Sequence, residues 1–248
     1  MQCKGFLFDL DGTLVNSLPA VERAWCSWAD RFGISHDEVL NFIHGKQAIT
    51  SLRHFMAGAS EAEIAAEFTR LEEIEASDTD GITPLPGAIE LLQHLDASAI
   101  PWAIVTSGSV PVAHARHRAT GLPMPKVFVT AEQVKHGKPE PDAYLLGAEL
   151  LGLAPETCVV VEDAAAGVLS GLAAGCHVIA VNVPPGSPGL EKVDFSLTSL
   201  EAISVTKQHD GIVSVDLKAC FNDVTPPRWG FFMALFYHSQ QTRTGCER

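Results

Sequence analysis

The sequence predicts an α/β fold, a parallel sheet covered on both faces with an all-helical segment inserted after its first strand, and three patterns carry that prediction. An apolar run of strand type, Gly5-Phe6-Leu7-Phe8, ends abruptly in Asp9-Leu10-Asp11-Gly12-Thr13. Residues of helical spacing then fill the chain up to about Gly81 before any second strand begins. Beyond Pro84, short apolar runs alternate with helical patterns, as parallel strands joined by crossover helices do.

Taken in order, the elements justify this reading. Leu18, Val21, Ala24, Trp25 and Trp28 recur at helical spacing, which continues in Glu38 to Phe42, Ile49 to Met56 and Glu61 to Ile74. Ser60 opens the last of these as an N-cap, with Glu63 three residues on. Strands are expected at Pro101 to Thr106, Lys126 to Thr130, Cys158 to Glu162 and His177 to Asn182, with a weaker one at Asp194 to Leu197. Residues 1–15 and 82–210 therefore form the sheet-containing core and residues 16–81 a helical insert, placed where it can act as a lid over the end of the first strand. Beyond about Gly211 the alternation stops, so residues 211–248 are expected to form an atypical, loosely docked C-terminal tail. Its apolar run from Thr225 to Phe236 is too short to span a bilayer.

With 46% hydrophobic and 19% charged residues among 248, the chain has ample material for a buried core and is not of the disordered class. Its start lacks a basic flank followed by a long apolar run, which predicts a cytoplasmic protein with no membrane partner. Cys3, Cys26, Cys158, Cys176, Cys220 and Cys246 show no metal-ligand spacing and are expected to be reduced thiols. His114 and His117 share a helix face without acids at matching offsets, which predicts solvated side chains. A net charge of −13 without a Lys/Arg cluster argues against a nucleic-acid partner. It does not exclude a phosphate ligand, because a single cation at about 4 Å supplies roughly 4 kcal/mol at intermediate dielectric, while more distant charges are screened.

Four short segments carry the chemistry. Asp9 and Asp11 point to the same side of an extended chain, just past the end of a buried strand, and Gly12 lets the backbone turn away; an Asx-type turn is the alternative. Thr106-Ser107-Gly108 ends a strand with hydroxyls and backbone N–H groups suited to phosphate oxygens. Gly137-Lys138-Pro139 constrains the direction of one ammonium, although a solvated loop lysine reads the same way. Glu162-Asp163 ends another apolar strand; beside Asp9 and Asp11 these acids would repel unless a cation bound among them, and oxygen ligands of this kind suit magnesium. Capping the following helix is the other use for them.

In this order the four segments, Phe8-Asp9-Leu10-Asp11-Gly12-Thr13-Leu14-Val15, Thr106, Lys138-Pro139-Glu140-Pro141-Asp142 and Val161-Glu162-Asp163, resemble the haloacid dehalogenase superfamily in its phosphatase branch with a helical cap, over roughly Lys4 to Lys207. His44-Gly45-Lys46 and Ser51-Leu52 look like the bacterial sugar and hexitol phosphatases of that family. The resemblance implies a Rossmann-like core with an inserted all-helical cap domain, and a small phosphorylated sugar or polyol as substrate of a monomeric enzyme. It implies Asp9 as the nucleophile that becomes an aspartyl-phosphate and Asp11 as the acid and base. Magnesium would be held by Asp9, the Asp11 carbonyl and Asp163, with Glu162 ligating or orienting a water. Thr106, the Ser107 N–H and Lys138 would hold phosphoryl oxygens. The loop Ile43 to Gln47 resembles the specificity loop of the family, with His44 and Lys46 reaching the substrate.

Asn16 stands where an aspartate is frequent and Ala165 where a proline is common, and the chain beyond about Lys218 does not resemble the family. A dehalogenase would not need Asp11 or a magnesium site. A β-phosphoglucomutase-like phosphotransferase would carry a hinge histidine near Pro19-Ala20-Val21, and this chain has none there. A non-catalytic aspartate phosphoacceptor also combines acids, a hydroxyl and a lysine on a parallel sheet, but without the helical insert.

Overall fold

A computed structural model describes residues 1–208 and 211–218. In chain order the elements are β1 (Gln2–Cys3), β2 (Gly5–Phe8), β3 (Val15–Asn16), α1 (Leu18–Phe32), α2 (His36–Ile43), α3 (Ala48–Phe55), α4 (Glu61–Ser77), β4 (Thr83–Pro84), α5 (Ala88–Ala97), β5 (Trp102–Val105), α6 (Val110–Thr120), β6 (Val127–Val129), α7 (Asp142–Leu151), β7 (Cys158–Glu162), α8 (Ala165–Ala173), β8 (His177–Val181), β9 (Phe195–Leu197), β10 (Ile203–Lys207) and β11 (Val213–Leu217).

The main sheet has six parallel strands in the order β6-β5-β2-β7-β8-β9. Its central strands are buried on both faces and are therefore continuously apolar, without a polar face. Phe6, Phe8, Trp102, Ile104, Val159 and Val161 pack on one side, and Leu7, Ala103, Val105, Val160 and Tyr144 on the other. The chain builds β5 and β6 on one side of β2 and then β7, β8 and β9 on the other. The order thus reverses at β2, and the carboxyl ends of β5, β2 and β7 meet at the point where open α/β sheets bind ligands.

The insert is a four-helix body with its own core of Trp25, Trp28, Val39, Ile43, Leu52, Ile64 and Leu71. At the start of α4, Ser60 and Glu63 form the expected capping box, with the Glu63 amide donating to the Ser60 hydroxyl and the Ser60 amide donating to the Glu63 carboxylate. Both crossings between core and insert run through one short antiparallel ribbon, in which Val15 pairs with Pro84 and Asn16 with Thr83.

Two expectations need correction. The break placed at Gly211 is too early, because β11 pairs antiparallel with both β10 and β1 in a second, three-stranded sheet. Val213 and Val215 are buried while Asp216 is exposed, a two-residue alternation too short to stand out in the sequence. The run from Thr225 to Phe236, Cys220 and Cys246 lie outside the described residues. His117 is not solvated: it is buried, its Nε2 is 3.0 Å from the Pro123 carbonyl, and its ring meets Phe128 edge-on. The other four cysteines are free thiols, three of them buried, and no described helix is long and apolar enough to cross a membrane.

Candidate active site

Parallel register sets the site. Phe8 pairs with Ile104 on one side and Val161 on the other, so Asp9, Thr106 and Glu162 emerge together at three adjacent strand ends. The Asp9 amide still donates to the Val161 carbonyl at 3.0 Å, which fixes the backbone of the first acid to the sheet. Asp9 is 7% exposed. Lys138 comes in from the loop before α7 and donates to Asp9 Oδ1 at 2.6 Å, Glu162 Oε1 at 2.7 Å and the Val105 carbonyl at 3.0 Å. An ammonium has three protons, so all of them are engaged, and Lys138 lies behind the nucleophile position as its anchor. Burial alone would lower the Lys138 pKa, but Asp9 and Glu162 outweigh it and raise it.

Glu162 is equally committed. Its Oε1 also accepts from the Tyr144 hydroxyl at 2.8 Å, and its Oε2 accepts from the Asp163 and Ala164 amides at 3.0 and 3.1 Å. Gly167 makes room for it, since a Cβ there would lie 1.6 Å from Glu162 Oε1. Asp163 accepts from the Thr13 hydroxyl at 3.1 Å. Gly12 has φ +85°, and a Cβ on it would meet Asp163 Oδ2 at 2.0 Å, so the turn and the close approach both call for glycine.

Asp9, Glu162 and Asp163 each present a carboxylate oxygen, all within 4.8 Å of one another. One ammonium faces three carboxylates. Burial drives the pKa of Asp9 well up, with Lys138 opposing, and burial together with Glu162 pushes Asp163 up to about 8. This set fits a hard divalent cation: it is all oxygen and negatively charged, and Asp9 and Asp163 retain acceptor capacity once Glu162 is accounted for.

A cavity of about 430 Å³ opens beyond Asp9 and Asp11, between core and insert. Its wall includes Thr106 and Ser107 from the core and Ile43 to Gln47 from the insert, so both regions singled out in the sequence face one space. The Ser107 hydroxyl donates to the Gly45 carbonyl at 3.3 Å and Gln47 Nε2 to the Ala131 carbonyl at 3.4 Å, which seats the insert loop on the strand ends. Thr106 is buried, and its hydroxyl accepts from the Gly108 amide at 3.0 Å. His44 lines the wall. Lys46, in the turn after α2, folds back on the end of that helix, donating to the Phe42 carbonyl at 2.6 Å with Nζ 3.7 Å from the Phe42 ring centre.

Thr13, quoted in the first motif without a role, holds Asp163, and three participants escaped the sequence reading: Tyr144, which holds Glu162, and the pair Arg116 and Glu75. Arg116 lies 2.9 Å from Asp11 and 3.2 Å from Glu75. A signal for the pair exists. Val112, Arg116 and Thr120 are spaced by four residues on α6, and Leu71 and Glu75 by four on α4, so each charge falls on its helix's buried stripe.

A parallel α/β core whose central strand ends in a buried acid, anchored by a lysine, joined by two further acids and covered by a helical insert, defines a capped hydrolase of the aspartate-centred kind. The chain belongs to the haloacid dehalogenase-like hydrolases, whose family model matches residues 3–175. It is 75% identical to hexitol phosphatase A of Escherichia coli strain K12 over 215 residues, 87% of this chain and 100% of that protein. It is 32% identical to 2-deoxyglucose-6-phosphate phosphatase 1 of Saccharomyces cerevisiae over 227 residues, 84% of this chain and 92% of the yeast protein. Among solved structures, a hydrolase from Pseudomonas syringae superposes with a TM-score of 0.70 at 26% identity, covering 80% of this chain and 94% of that one.

Proposed function

We propose that the protein is a magnesium-dependent phosphatase of hexitol phosphates and related small sugar phosphates. The observation that carries this is the buried, lysine-anchored Asp9 at the floor of a cavity that Asp11 and the insert loop also line. The 75% identity to a hexitol phosphatase along that relative's whole length supports a polyol ester as the preferred substrate.

Asp9 attacks phosphorus, and the ester bond to the alcohol breaks as the Asp9–phosphorus bond forms. Lys138 favours the ionised Asp9 that burial alone would disfavour, and it fixes Oδ1 so that the other oxygen is the attacking atom. Asp11 gives a proton to the leaving alcohol oxygen and later takes one from the water that cleaves the aspartyl-phosphate. Thr106 and Ser107, which line the cavity, surround the phosphoryl group as charge shifts between attacking and leaving oxygens, while Lys138 stays on Asp9 behind it. Asp9, the Asp11 carbonyl and Asp163 would hold magnesium, with Glu162 fixing Lys138 and the Asp163 backbone around it; bound there, it would neutralise phosphate charge. The insert excludes water and reads the rest of the substrate, with His44, Lys46 and Gln47 on its loop. The reading takes the enzyme to act as a monomer in the cytoplasm.

The test is phosphate release across hexitol, hexose, glycerol and nucleoside monophosphates, with magnesium and with chelator. The highest kcat/KM is expected for a hexitol phosphate. Release no greater than that of Asp9→Asn on every substrate would refute the assignment.

A further inference from the structure

Arg116 belongs to none of the steps above, yet it joins the acid of the core to the insert. From α6 its Nη1 lies 2.9 Å from Asp11 Oδ2, and its Nη2 donates to Glu75 Oε1 on α4 at 3.2 Å. The Arg116 and Glu75 side chains are 6% and 8% exposed. We propose that Arg116 is the positioning residue of the proton donor and that Glu75 clamps it from the insert, so that Asp11 is aligned on the leaving oxygen while α4 rests against α6. This rests on reading Asp11 as the proton carrier.

A guanidinium is planar and rigid, so a plane pinned at one nitrogen by Glu75 also sets where the other lies, and Asp11 Oδ2 is its ion-pair partner at 2.9 Å. Asp11 Oδ1 has no protein hydrogen-bond partner among the described residues, although Asp11 lines the cavity. One oxygen of Asp11 is thus held by Arg116, and the other is a buried acceptor with no hydrogen-bond partner among the described residues. Glu75 has Arg116 as its ion-pair partner, and α4 packs along α6. Lifting α4 would take Glu75 from Arg116 and release the plane that aims Asp11. A general acid contributes about 10²- to 10⁴-fold, and a misplacement of about 1 Å can forfeit about 10²-fold.

The experiment compares kcat and KM for sorbitol 6-phosphate, whose leaving alkoxide needs a proton, and p-nitrophenyl phosphate, whose leaving group hardly does, in the intact magnesium-loaded enzyme. Arg116→Met is expected to lower kcat on sorbitol 6-phosphate about 10- to 100-fold, with a several-fold smaller loss on the aryl ester and KM within about threefold on both. Arg116→Lys, one charge that cannot span both carboxylates, should recover part of the loss, and Glu75→Ala should fall between. Added to Asp11→Asn, Arg116→Met should change the alkyl-to-aryl ratio no further. Equal losses on both substrates in Arg116→Lys and Glu75→Ala overturn the proposal even if Arg116→Met fails to fold, and additive losses in the double variant overturn it where that variant folds. A ratio shifted by Asp11→Asn but not by the Arg116 and Glu75 variants overturns the positioning role alone, whereas a ratio unmoved by Asp11→Asn overturns the proton-carrier reading and this inference with it.

Discussion

Lys138→Met removes the site's buried ammonium while keeping an unbranched stem of similar reach. In the wild type that ammonium meets Asp9, Glu162 and the Val105 carbonyl, so three acceptors lose their donor at once. Removing one partner of a buried ion pair destabilises by about 3–5 kcal/mol. At about 2–4 °C per kcal/mol for a protein of this size, the midpoint should fall by roughly 6–20 °C. The lysine's folded pKa is raised above its unfolded value near 10.5, so its contribution is complete at neutral pH and is lost only as pH rises through the folded value. Asp9 behaves in the opposite range. Its raised pKa lets it take a proton on acidification, which relieves the variant's unpaired charge, so the gap to wild type should narrow towards pH 5. Urea unfolding followed by circular dichroism in chelator, at pH 7.5 and pH 5, measures both. Adding Asp9→Asn to Lys138→Met should destabilise by at least about 1 kcal/mol less than the two separate losses combined. A variant within about 1 kcal/mol of wild type at pH 7.5, or a gap that widens in acid, would refute the anchoring role.

Asp9→Asn should retain the fold by circular dichroism and lose turnover on every phosphate ester, because an amide is no nucleophile; substantial kcat in the purified variant would contradict the covalent route. Without metal, Asp9 and Asp163 both have folded pKa values above their unfolded ones, with Asp163 at about 8, so their contribution is greatest below about pH 4 and is lost as pH rises through about 8. Melting temperatures in chelator should therefore fall from pH 5 to pH 8, and magnesium should flatten that slope. Calcium should inhibit, because its looser and larger coordination misplaces the phosphate, which a competition assay against magnesium reads directly. Gly12→Ala puts a Cβ where Asp163 Oδ2 lies, at a φ of +85°, so it should raise the magnesium concentration for half-maximal rate far more than it lowers the melting temperature.

Much of the core was legible because its signals are local. The run from Phe6 to Phe8 is uniformly apolar since both faces of β2 are covered, and a carboxylate straight after such a strand is visible without any partner. The capping box at Ser60 and Glu63 likewise spans four residues. Pairings between distant segments leave weaker traces. The ribbon of Val15 and Asn16 with Thr83 and Pro84 is two residues deep, too short for periodicity to register, and β10 and β11 pair with each other across a turn while β1 comes from the opposite end of the chain. In the site, Lys138 was expected on phosphate because a lysine's charge is legible, whereas the three acceptors that engage it come from three separate strands. Arg116 and Glu75 each fall on the buried stripe of their own helix, but nothing local says that the two stripes face each other, and only the closeness of α4 and α6 makes them a pair.

The ribbon that carries the chain out of the core and back has a consequence of another kind. Because Val15 and Pro84 sit side by side, the insert begins and ends at nearly the same place, and to the sheet it is topologically a single closed excursion. Helices within it can be lengthened, reordered or exchanged without shifting the register of β2 against β5 or β7. Inheritance can therefore change what the enzyme recognises while leaving the reacting groups untouched, and the two halves of the protein are free to diverge at different speeds.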